Sequence, residues 1–80
     1  MVAVELGRKF ERKRDKVKDG LLRERIKKQM RKIIDCPEIG KPMRFSRKGT
    51  REVYVAPFRI AYALIGDTIV FLDLYHKDEQ

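Results

Sequence analysis

Four side chains in the C-terminal half could act together in chemistry: Glu52, Tyr54, Arg59 and His76. An imidazole near its ordinary pKa of about 6.5 gives or takes a proton at neutral pH. A guanidinium stabilises charge developing on a phosphorane-like transition state. Glu52 and Tyr54 are weaker signals, since alternation in a half-exposed strand places polar side chains there anyway, and Glu52 can simply pair with Arg51 or Arg59. By position alone His76 reads as a surface histidine near the C-terminus. Arg59 is more telling, because it interrupts the apolar run FRIAY, where an unpaired charge is costly unless it faces a groove or a partner.

These residues fall in the stretch Arg51–His76, which holds nearly all of the strand-type alternation. Ala56-Pro57 and Gly66-Asp67 divide it into three strands joined by two-residue turns, and a glycine first in its pair suits a type II′ hairpin. In an unbroken ladder Val55 pairs with Phe58, Tyr54 with Arg59, Glu52 with Ala61, Ala63 with Val70, Ala61 with Leu72 and Arg59 with Leu74. Cross-strand partners share a face. One face then collects Val53, Val55, Phe58, Ile60, Tyr62, Leu64, Ile69, Phe71 and Tyr75, suited to packing against helices. The other collects Glu52, Tyr54, Arg59 and His76, with the short Ala61 and Ala63 leaving room above Val70, Leu72 and Leu74. A one-residue bulge would turn everything beyond it to the opposite face. Asp73 falls on the core side of this ladder, so it is expected near a sheet end, within reach of a helix lysine or arginine.

The preceding segments must supply the cover. Leu6, Phe10 and Val17 share a narrow arc in a basic amphipathic helix over Glu5–Lys18. Asp19 can cap a second helix whose Leu22, Ile26, Met30 and Ile33 form one stripe, with Leu21 and Ile34 at its margins. Cys36 and Pro37 end it, and the short break favours an antiparallel helical hairpin. Met1–Val4 could add an edge strand or extend the first helix, and is assigned to the helix. Met43–Phe45 reads as a brief strand and Ser46–Thr50 as a turn. The plan is α+β: a helical hairpin packed on an antiparallel sheet of three to four strands, in one domain spanning 1–80.

Composition narrows the partners. Eighty residues with 20 lysines and arginines against 12 acids, a net charge of +8, favour polyanions and acidic proteins. Basic helix faces are commonly just solvated. The cluster Lys41, Arg44, Arg47, Lys48 and Arg51, with Lys77 near the C-terminus, is better suited to hold the phosphates of one strand. A lone Cys36 forms no internal disulfide, no apolar run approaches a membrane span and no signal-peptide core is present, so a cytoplasmic location is expected. No Gly-rich phosphate loop, metal-ligand spacing or Ser/His/Asp arrangement occurs, so neither a cofactor nor a metal is expected.

The words GKPMRF, REVYVAPFRIAYAL and DTIVFLDLYHKDEQ, in this order behind two helices, resemble the RelE/ParE superfamily, the toxin halves of type II toxin–antitoxin pairs. The resemblance runs from about Phe10 to the end and implies two helices over a small antiparallel sheet. It also implies an acidic antitoxin as partner. RelE-like members are metal-independent endoribonucleases that cut mRNA on the ribosome, leaving a 2′,3′-cyclic phosphate; ParE-like members inhibit DNA gyrase without cleavage. A third possibility for this chain is a degenerate member that only binds its antitoxin. Arg59 matches the arginine that RelE-like nucleases place against the scissile phosphate. His76 resembles the histidine of the YoeB-type branch, with the spacing from Arg59 different by about one residue. Lys41 and Pro42 fit that branch's GKP word, with Met43 where a glutamate follows. Glu52 and Tyr54 stand where RelE has a lysine pair. The implied roles are phosphate stabilisation by Arg59, proton donation by His76, base chemistry by Glu52 and positioning or stacking by Tyr54. Lys41, Arg44, Arg47, Lys48, Arg51 and Lys77 would hold the RNA backbone.

Overall fold

The two expected hairpins form. The computed structural model describes residues 3–42 and 49–76. In chain order these are β1 (Ala3–Leu6), α1 (Arg8–Lys16), α2 (Gly20–Asp35), a 3-10 turn (Pro37–Ile39), β2 (Lys41–Pro42), β3 (Thr50–Val55), β4 (Phe58–Ile65) and β5 (Thr68–His76). Val55 pairs with Phe58 around Ala56-Pro57, and Ile65 with Thr68 around Gly66. Gly66 takes φ 61°, a left-handed conformation that glycine adopts without penalty.

The architecture is α+β, but the sheet has five strands, not three to four, in the order β1-β5-β4-β3-β2. It is mixed: β1 runs parallel to β5, and the other neighbours are antiparallel. Ala3–Leu6 is therefore a strand, which corrects the assignment of this end to the first helix. Its backbone satisfies the otherwise open edge of β5, with the Ala3 amide donating to Asp67 O at 2.9 Å and the Gly7 amide to Phe71 O at 2.8 Å. Gly7 makes the handover to α1 possible, because a Cβ there would lie 2.9 Å from the Phe71 carbonyl oxygen. β2 lies at Lys41–Pro42, where only a connection was expected; the strand expected at Met43–Phe45 lies outside the described residues.

Both helices cover one face of the sheet. Asp19 caps α2 as its sequence position predicts, its carboxylate accepting from the Leu21 and Leu22 amides at 3.0 and 3.4 Å. Phe10 and Val17 from the first helical segment, and Ile26 and Ile33 from α2, meet Val55, Ile60, Tyr62, Ile69, Phe71 and Leu74 in the core. The Phe10 and Phe71 rings lie 5.3 Å apart between centroids. Leu21, expected at the stripe's margin, is 79% exposed.

Tyr62 ties the connection to this core. Its ring is fully buried, its hydroxyl donates to Pro37 O at 2.6 Å, and it accepts from the Gly40 amide at 3.0 Å. Gly40 leaves the room, since a Cβ there would sit 2.5 Å from the Tyr62 hydroxyl. Burial pushes the Tyr62 phenol above its ordinary pKa, against smaller opposing effects of the Gly40 hydrogen bond and the nearby Arg51 charge.

Candidate functional site

A single extra residue in β5 decides which side chains meet. From the Gly66 turn to Tyr62 the ladder is the expected one, with Ala63 opposite Val70 and Tyr62 opposite Phe71. Ala61 then pairs with Asp73 instead of Leu72, so Leu72 is the inserted residue of a β-bulge. Beyond it Ile60 pairs with Leu74, Arg59 with Tyr75 and Phe58 with His76. The reason is burial. An unbroken ladder would send Asp73 and Tyr75 to the core and leave Leu74 outside; the bulge buries Leu74 completely and frees the Asp73 carboxylate for Lys13 at 3.1 Å and Lys9 at 4.0 Å. The expected reach of a helix lysine to Asp73 is thus met.

This corrects the grouping of His76 with Arg59. His76 lies on the helix-covered side, its ring packed edge-on against Phe58 with centroids 5.7 Å apart. Tyr75, assigned to the core by the unbroken register, takes the position beside Arg59. The only signal for it in the sequence is the poor fit of Asp73 to a core position.

Glu52 joins the site. Its Oε1 lies 3.2 Å from Arg59 Nη1, and its Oε2 accepts from the Tyr75 hydroxyl at 2.6 Å. β3, β4 and β5 each contribute one residue, and all three side chains are half-buried. The pairing of Glu52 and Arg59 on one face follows from the β3–β4 hairpin and was legible in the sequence. Such an ion pair contributes about 1 kcal/mol or less where water reaches it, so its weight is in positioning more than in stability.

Tyr54 shares this face and is 52% exposed, at the mouth of a cleft of about 370 Å³ lined also by Ile39, Lys41, Glu52, Val53 and Arg59. Lys41 sits opposite Glu52 across β2 and β3 and is exposed. Ala61 and Ala63 do not open the expected groove: both are buried, and the cleft lies toward the β2 edge. Arg51 is withdrawn from the proposed RNA-holding cluster. It pairs with Tyr62 on the core side, and its Nη1 donates to Gly40 O at 2.7 Å and Glu38 O at 3.3 Å, clamping the turn before β2. Arg44, Arg47, Lys48 and Lys77 lie outside the described residues. Among the described residues no group of three or more His, Cys, Asp or Glu could hold a metal, and no helix is long and apolar enough to cross a membrane.

Residues 4–80 match the family model described as the ParE toxin of type II toxin–antitoxin systems, parDE. A chain of the intact E. coli RelBE toxin–antitoxin complex superposes with a TM-score of 0.81 at 15% identity, over 95% of this chain and 96% of that one. A chain of the E. coli DinJ-YafQ complex gives 0.79 at 18% identity over 99% and 97%. One from the RelB-RelE antitoxin–toxin complex of Methanococcus jannaschii gives 0.74 at 20% over 94% and 92%. At these identities the likeness is one of fold. A search of curated proteins finds no sequence match.

Proposed function

Because the chain belongs to the ParE toxin family of type II toxin–antitoxin systems, we propose that it is the toxin of such a pair, that an acidic antitoxin restrains it, and that it cleaves mRNA on the ribosome. The observation carrying the nuclease reading is the Glu52 carboxylate shared between Arg59 and Tyr75. In the reaction the RNA 2′-hydroxyl attacks the adjacent phosphorus while Glu52 takes its proton. The bond from phosphorus to the 5′-oxygen breaks, leaving a 2′,3′-cyclic phosphate and a 5′-hydroxyl. Arg59 stabilises the charge on the phosphorane. The Tyr75 hydroxyl donates to the departing oxygen and recovers a proton from Glu52 across their hydrogen bond, which resets the pair. Tyr54 stacks on a base at the cleft mouth, and Lys41 with Arg44, Arg47, Lys48 and Lys77 holds the backbone. His76 has no part in this chemistry.

A second reading, inhibition of DNA gyrase without bond cleavage, is favoured by one feature: Glu52 already neutralises Arg59 before any phosphate arrives. The two separate in a translation extract programmed with a defined mRNA. Ribosome-dependent primer-extension stops are expected. Intact mRNA together with inhibited supercoiling in a gyrase assay would replace the nuclease reading by the second.

A further inference from the structure

The chain's net charge is confined to one layer. Residues 8–35, which contain both α-helices, carry 13 lysines and arginines against five acids and so hold the full +8. The remainder of the chain, the Glu52–Arg59–Tyr75 site included, balances seven against seven. The helices cover the face of the sheet opposite that site. The segment that carries the net charge therefore packs on the face away from the cleft.

On α2 the exposed Arg23, Lys27 and Arg31 follow one another at four-residue spacing, so they form a row on one helix face. No carboxylate of the described residues lies within 4.0 Å of any of them. A furrow of about 520 Å³ between the helices is lined by Arg14, Arg23 and Lys27, with Glu24 the one acid in it, and by Ile26 and Met30. We infer that this helix face is a docking surface for a double-helical nucleic acid, held through its backbone phosphates. The row extends about 12 Å, eight residues at about 1.5 Å each, a length over which one duplex strand carries three or four phosphates at about 3.4 Å of helix axis each. The exposed residues of the helix face separate this partner from an acidic protein. Protein interfaces centre on apolar and aromatic anchors, whereas Leu21 is the one exposed large hydrophobic residue on these helices among the described residues. The inference does not depend on the nuclease reading, because it concerns the other side of the sheet.

The test is fluorescence anisotropy of a 20-base-pair duplex of arbitrary sequence, in RNA and DNA forms, titrated with the intact protein between 50 and 200 mM salt. Four phosphate contacts, from Arg14 and the row, give a log-log slope of roughly −4, a loss of affinity on the order of a hundredfold across that range. The Arg23→Gln, Lys27→Gln, Arg31→Gln triple variant is expected to flatten the slope to roughly −1, and each single variant to reduce it by about 0.9. A wild-type slope shallower than about −1 overturns the inference, as does a slope unmoved by the substitutions in α2. Poly-glutamate displacing the duplex at equal charge concentration would also overturn it, in favour of an acidic protein partner.

Discussion

Arg59 faces Tyr75 directly across β4 and β5, and the Glu52 carboxylate bonds both. The arrangement puts a carboxylate, a guanidinium and a phenol on one face, each on a strand of the same sheet. A strand-borne site of this kind is held more rigidly than one built on loops.

Tyr75→Phe is expected to lower the rate of RNA cleavage by about tenfold to a hundredfold, since it removes the proton donor while keeping the ring. His76→Ala is expected to stay within about threefold of wild type, because its ring packs on Phe58 away from the site. Primer-extension time courses measure both. The reverse pattern would return the histidine to the mechanism and contradict the register seen here.

Arg59→Ala should remove transition-state stabilisation worth about 3 kcal/mol, roughly a hundredfold in rate. Its denaturation midpoint should scarcely move, because the lost ion pair is half-exposed. A large drop in stability would mark Arg59 as structural.

Glu52→Gln separates the two functions of that carboxylate. Cleavage should fall about a hundredfold or more with loss of the base. Single-stranded RNA should nonetheless bind more tightly, and its log-log salt slope should steepen by about 0.7, because Arg59 becomes available to one more phosphate. Unchanged binding would mean that the ion pair does not compete with RNA.

Tyr62 makes stability fall in alkali. Its pKa is raised above the unfolded value of 10.0, so above about pH 10 the unfolded chain releases a proton that the folded chain retains, and stability is lost as pH rises through the folded pKa. Urea denaturation between pH 8 and 11 should show this decline. Tyr62→Phe should lack this component, and at neutral pH it should be less stable by about 1–3 kcal/mol because the Gly40 amide and Pro37 carbonyl lose their partner.

Co-expression with the product of the adjacent gene should yield a stable complex, since the exposed Ile39 and Tyr54, beside a cleft that Lys41 and Arg59 also line, favour an acidic segment with apolar anchors. Thermal denaturation should shift upward in the complex. A chain that purifies alone and is unchanged in stability with its neighbour present would argue against the antitoxin.

Local chemistry in the sequence was enough for the two hairpins, the Asp19 cap and the buried stripe of Ile26 and Ile33. Turn geometry, capping and side-chain periodicity each depend on residues a few positions apart. The shared face of Glu52 and Arg59 follows in the same way from one short turn. Tertiary structure alone decided the rest. Whether β5 bulges depends on the difference between burying Leu74 and burying Asp73, and Asp73 is drawn outward by Lys13 on a helix distant in sequence. Ala3–Leu6 became a strand because β5 left an edge to satisfy. Arg51 left the phosphate-binding cluster because the carbonyls of Glu38 and Gly40 lie within its reach. In each case a contact made only in the folded chain selects the outcome.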